Sequence, residues 1–126
     1  MESSDRHLTR AQRRVLREGG TEPPFSGAYL HAEEPGTFRC AGCGAALYRS
    51  EAKYDSGSGW PSFCEALDEA SVTRHEDRSH GMVRTEIRCA ACGGHLGHVF
   101  PDGPEPTGER HCVNSLALDL ETDPEA

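Results

Sequence analysis

The chain has 126 residues and lacks any apolar run near the roughly 20 residues that span a bilayer. Its opening stretch, MESSDRHLTRAQRRVLREGG, has no continuous apolar segment, so a secretory signal is not expected and the cytoplasm is the expected compartment. Surplus positive charge is also missing. Lys and Arg number 13 against 21 Asp and Glu, and the net charge of -8 disfavours a nucleic-acid partner. Aromatic residues make up 6% and apolar residues 35%, which leaves a modest core for the one domain that this length suggests. What is plentiful is Gly (14), Pro (8) and Cys (6). The first two point to a turn-rich, mostly β chain, and the third to metal ligation or redox chemistry before a disulfide framework.

Only the first segment has helical periodicity. Leu8, Ala11, Val15 and Leu16 fall on one face, with Arg10, Arg13, Arg14 and Arg17 on the others as a solvated surface. Thr9 and Gln12 have the spacing of a capping box, and Gly19-Gly20 followed by Pro23-Pro24 stops the helix. Short β-like runs follow: Thr37–Cys40, Ala45–Arg49, Ser71–Glu76, Met82–Cys89, Leu96–Phe100 and His111–Leu120, with a turn over Arg78–Gly81. The predicted class is α+β, mostly β, with antiparallel sheets dominating. Residues 1–7 are expected to form a short mobile start and 121–126 a frayed acidic end.

Cys40-Ala-Gly-Cys43-Gly and Cys89-Ala-Ala-Cys92-Gly are near copies of one knuckle. Two intervening residues let both thiolates of a pair point at one ion, and two pairs fill a tetrahedral zinc site. Such a closed site has no vacancy for substrate, so its role is to pin distant segments of a small domain. The rival readings are two redox-active CxxC motifs or two disulfides. A redox CxxC opens a helix in a βαβ unit, and no such pattern surrounds either pair.

Cys64 and Cys112 remain. Arg110 and His111 lie beside Cys112, and positive neighbours lower a thiol's pKa, so Cys112 is expected to be alkylated at pH 7 far faster than Cys64. His95 and His98 stand three residues apart upstream, suited to proton donation or to binding a polar oxygen. Ser56-Gly-Ser-Gly-Trp60-Pro-Ser-Phe63 surrounds the single Trp with glycines. Its indole either lines a pocket for a small apolar group or anchors the core.

The ordered segments CAGCGAALY, KYDSGSGWPSF and SHGMVRTEIRCAACGGHLGHVFPDGPEPTGERHCVNS closely resemble the methionine-R-sulfoxide reductase B family. LTRAQRRVLREGGTEPPFSGAYL looks like that family's amino-terminal part, so the resemblance runs from about Leu8 to Leu120. It implies two antiparallel sheets with a few short helices, a structural zinc on Cys40, Cys43, Cys89 and Cys92, and reduction of the R epimer of methionine sulfoxide, mainly in oxidised proteins. It also implies Cys112 as the catalytic thiol, left as a sulfenic acid, with His98 or His95 as proton source. Arg110 would stabilise the thiolate, Asp102 would orient neighbouring groups, and Asn114 would add a hydrogen bond. Trp60 would hold the substrate methyl group, with Phe100 also binding substrate. A monomer served by thioredoxin or another thiol is expected.

Ser58 stands where many members of that family carry a resolving cysteine, and a serine cannot form the recycling disulfide. Either Cys64 resolves Cys112, or an external thiol reduces it directly while Cys64 is simply a buried small hydrophobe. His111 replaces a frequent aromatic residue and could tune Cys112. Two further readings keep the knuckles without catalysis: a zinc-dependent binding module and an inert scaffold. Neither needs Cys112 beside histidines.

Overall fold

A computed structural model describes residues 7–124. Its one α-helix, α1 (Arg10–Leu16), carries the predicted capping box: Gln12 N–H donates to Thr9 Oγ1, and Thr9 N–H to the Gln12 side chain. Leu8, Val15 and Leu16 are buried, but Ala11 is exposed, contrary to the expected stripe. In so short a helix the core-facing edge is set by residues seven and eight positions after Leu8, and Ala11 falls outside it.

Nine strands follow among the described residues: β1 (Gly36–Cys40), β2 (Ala46–Arg49), β3 (Lys53–Tyr54), β4 (Ser62–Phe63), β5 (Val72–Asp77), β6 (Arg84–Cys89), β7 (His95–Phe100), β8 (Arg110–Val113) and β9 (Leu118–Thr122). They form two antiparallel sheets, ordered β2-β1-β9 and β3-β4-β8-β7-β6-β5. The expected class is therefore observed. Two details differ. The run His111–Leu120 is two strands in different sheets, because Val113, Asn114 and Ser115 are buried in succession and a 3-10 turn at Ser115–Ala117 redirects the chain. The expected frayed end begins too early, since Glu121 and Thr122 pair with Thr37 and Gly36 in β9. The mobile start predicted for 1–7 lies outside the described residues except at its last position, where His7 Nε2 lies 2.7 Å from the Ala41 carbonyl oxygen.

The core lies where aromatic side chains link the sheets. Phe63 of the large sheet stacks on Tyr48 at 4.4 Å and meets Phe38 edge-on at 5.1 Å. All three are fully buried. Pairs of this kind add about 0.5–1.5 kcal/mol each beyond the area they bury. No helix among the described residues is long and apolar enough to cross a membrane.

Candidate active site and metal centre

Both knuckles are hairpin tips built alike. In the first, Cys40 N–H donates to the Ala45 carbonyl and Gly44 N–H to the Cys40 carbonyl; in the second, Cys89 pairs with Gly94 and Gly93 with Cys89. Gly44 and Gly93 take φ of 83° and 77°, the left-handed region that favours glycine. β1–β2 presents one tip and β6–β7 the other, and the four sulfurs lie within 4.8 Å of one another. The short contacts run across the knuckles, Cys40–Cys92 at 3.7 Å and Cys43–Cys89 at 3.6 Å, and not within either CxxC. Ligands about 2.3 Å from a tetrahedral metal stand about 3.8 Å apart, so the set fits one metal ion.

Arg17, placed by its spacing on a solvated helix face, reaches this cluster. Its Nη1 lies 3.4 Å from both the Cys92 sulfur and the Cys92 carbonyl oxygen. A Cβ at Gly42 would stand 2.8 Å from Arg17 Nη2, so the glycine leaves room for the guanidinium.

The large sheet builds the second centre. Opposed residues on neighbouring antiparallel strands share a face. Ser62, Cys112, His98, Glu86 and His75 are register partners across β4, β8, β7, β6 and β5, so they form one row. Arg110 and Phe100 pair one step along the same face. His95 joins them through an irregularity. Residues three apart on a regular strand point to opposite faces, but the β6–β7 register shifts so that Ile87 opposes Gly97 while Arg88 opposes His95. The extra residue returns His95 to the side of His98, and the two rings meet edge-on at 5.6 Å. Gly97 has its own reason: a Cβ there would collide with the Cys112 carbonyl.

Cys112, His98, Phe100, Arg110, Asn114 and Trp60 line a cavity of about 250 Å³, together with Thr21, Ser58, Arg84 and Gly97. Of the residues singled out by sequence, His95, Asp102 and Cys64 do not line it. Asp102 is exposed and acts at one remove, gripping Arg110 by two hydrogen bonds of 2.9 and 3.2 Å while the guanidinium lies 4.5 Å from the Phe100 ring centre. His95 is buried, with Nδ1 2.6 Å from Glu86 and Nε2 without a partner among the described residues. Cys64 lines a different cavity with Arg49, Glu51 and Pro106. The Trp60 indole N–H donates to the Glu22 carbonyl at 3.0 Å, which leaves the ring for apolar contact. The Asn114 side chain accepts from Glu22 N–H and donates to the Leu96 carbonyl, both at 2.9 Å.

The electrostatics revise one expectation. Burial pushes the Cys112 thiol above its ordinary value, and the Ser58 hydrogen bond and Arg110 charge offset only part of that rise. His111, expected to help lower it, points to the opposite face, buried with Nδ1 2.9 Å from the Tyr48 hydroxyl. Burial raises Cys64 as well, so neither thiol has the lowered pKa that was expected of Cys112. Burial also lowers the His98 pKa, opposed by its 2.7 Å hydrogen bond to Asp77. Asp77 is in turn held below the ordinary carboxylate range by His98. Burial thus works against both the Cys112 thiolate and the His98 imidazolium, while His98 Nε2 is held 2.7 Å from Asp77.

Sequence reading missed Asp77, Glu86 and Glu22. Glu86 sits inside the predicted run Met82–Cys89 next to Ile87, and Asp77 lies one residue beyond the predicted run Ser71–Glu76, in a stretch with no apolar alternation to mark its face. Glu22 is 2% exposed in an irregular segment, and no pattern distinguished it.

Fold and clefts together define a β protein with a four-cysteine cluster that fits a metal ion, and with a single thiol set among imidazole, guanidinium and aromatic groups. Residues 8–122 match the SelR domain. The chain is 60% identical over 116 residues to the peptide methionine sulfoxide reductase MsrB of Bradyrhizobium diazoefficiens, covering 92% of this chain and 84% of the relative. Proteins of the same name from Synechococcus sp. and Agrobacterium fabrum are 58% and 56% identical over 113 and 114 residues, each match covering 90% of this chain and 83% and 84% of the relative. The chain belongs to the methionine-R-sulfoxide reductase B family.

Proposed function

We propose that this chain reduces the R epimer of methionine sulfoxide, carried in oxidised proteins, to methionine, with Cys112 as nucleophile. The observation that carries the reading is the Cys112 sulfur in a cavity lined also by His98, Arg110, Trp60 and Phe100. The Trp60 and Phe100 rings receive the methyl group, and Arg110, steadied by Asp102, faces the developing negative charge. Cys112 attacks the substrate sulfur. Its proton passes, through His98 Nδ1, to the sulfoxide oxygen, and that oxygen is transferred to the Cys112 sulfur. Thiol plus sulfoxide becomes sulfenic acid plus thioether, two electrons having moved from Cys112 to the substrate. His95, held by Glu86, and Asn114, held by the Leu96 carbonyl, keep the site's shape.

Recycling uses an external thiol, thioredoxin or another. One thiol displaces water from the sulfenic acid to give a mixed disulfide, and a second releases Cys112. Cys64 is left as a packing residue, in keeping with its separate cavity. Cys40, Cys43, Cys89 and Cys92 hold one zinc ion, whose four thiolate ligands leave no open position, so it contributes stability and no chemistry. Residues 1–126 act as one domain and as a monomer. The cytoplasm, where thiols stay reduced, suits a chain that depends on five of them.

The test is an assay on separated R and S sulfoxides with a dithiol reductant, using the intact chain and Cys112→Ser. Turnover of the R epimer alone, falling by roughly 10³-fold or more in the variant, supports the reading. Normal R turnover by Cys112→Ser contradicts it.

A further inference from the structure

Three hydroxyls crowd the segment that faces Cys112. Ser58 Oγ lies 3.9 Å from the Cys112 sulfur. Behind it, Ser56 Oγ stands 3.0 Å from Ser58 and 2.7 Å from Ser62, the β4 residue directly opposite Cys112 in the sheet. A serine hydroxyl has two acceptor lone pairs and one hydrogen. At Ser58 the Ser56 hydroxyl donates to the oxygen, and so does the Trp60 backbone N–H, at 3.4 Å. Both lone pairs are therefore occupied. Besides the sulfur, the one hydrogen has two long partners, the Trp60 carbonyl at 3.4 Å and the Ser62 hydroxyl oxygen at 3.5 Å. Once the sulfur is a thiolate it can only accept, so the 3.9 Å contact then runs from the Ser58 hydroxyl to the sulfur.

We infer that Ser58 is a catalytic residue, the hydrogen-bond donor to the Cys112 thiolate as it forms, with Ser56 polarising it from behind. The charged groups that face Cys112 are few: Arg110 on its own strand favours the thiolate, Glu22 opposes it, and Arg84 of β6 lines the same cavity. His98 stands opposite on β7, and Tyr54 of β3 lies within electrostatic reach. None of the remaining neighbours is a second neutral donor to the sulfur among the described residues, so the hydroxyl offsets part of the cost of ionising a buried thiol. In the reduction proposed above, on which this last step rests, the same hydrogen turns to the oxygen carried by the Cys112 sulfenic acid, a stronger acceptor than sulfur.

The test omits substrate, so its failure is separable from failure of the proposed reduction. The full-length chain is treated with iodoacetamide from pH 6 to 10.5, and modification of Cys112 is followed by mass spectrometry of its peptide. The pH of half-maximal rate reports ionisation, and the plateau reports access. Ser58→Ala should raise the half-maximal pH by about one unit, which is about tenfold slower reaction at pH 7, with the plateau unchanged. Ser58→Thr, which keeps the hydroxyl, should restore it, and Ser56→Ala should shift it in the same direction by less. A half-maximal pH unmoved in Ser58→Ala, or moved equally in Ser58→Thr, overturns the inference.

Discussion

The molecule's two thiol centres use the same atom in opposite ways. At the hairpin tips four sulfurs stand within 4.8 Å of one another, two on each of two rigid turns, with an arginine alongside. On the face of the large sheet one sulfur stands apart from the other five, buried enough that its proton is hard to remove. In the first centre two of the thiols act on one another: the hydrogen bond from Cys40 pulls Cys89 below its ordinary value and raises Cys40. In the second it is fixed by imidazole, guanidinium and hydroxyl groups that wait for substrate. The lesson is that reactivity here belongs to the surroundings and not to the cysteine. A cluster of four sulfurs has the donors to fill a tetrahedral ion, and a centre with one sulfur keeps its capacity for change.

The largest way to break this contrast is to strip the metal centre. Removal of metal with a strong chelator should lower Tm by more than about 10 °C, because the tie between the tips of two hairpins is lost. Calorimetry checks this, and an unchanged Tm would mean the four thiols are not the pin they resemble. Next in size is Asp77→Asn, which frees the His98 ring. The rate should fall by roughly 10–100-fold and the pH dependence should change, because loss of the carboxylate leaves burial unopposed and moves the His98 pKa further down. A rate loss with no change of pH profile would reduce Asp77 to a structural role. Smallest is Arg17→Met at the metal end. Loss of metal to a competing chelator should quicken by about threefold, in line with the roughly 0.2–1 kcal/mol of an exposed charge contact.

The difference between the centres also explains what could be read without coordinates. The knuckles were legible outright, since a CxxC repeated with a following glycine carries its own geometry. Most strand positions in the large sheet followed from alternation, and α1 from its capping box. The resemblance supplied the residues around Cys112, and six of them do meet at one cavity. What could not be read was long-range. That His95 shares a face with His98 depends on a register shift against β6. That His111 turns away from Cys112 follows from strand alternation, but that it meets the Tyr48 hydroxyl, 63 residues earlier, does not. β3 and β4, two residues each, are too short for any periodicity. The sign of the Cys112 shift was misjudged for the same reason: adjacent charges are visible in a sequence, whereas burial by other strands is not.

The most direct measurement of the central claim is a single turnover without reductant. The chain is mixed with excess R-methionine sulfoxide, methionine released per chain is counted, and Cys112 is examined by mass spectrometry after trapping with a sulfenic-acid reagent. One methionine per chain with one trapped sulfenic acid at Cys112, and neither with the S epimer, is the predicted result. Methionine released while Cys112 stays unoxidised, or equal reaction of both epimers, would contradict the account.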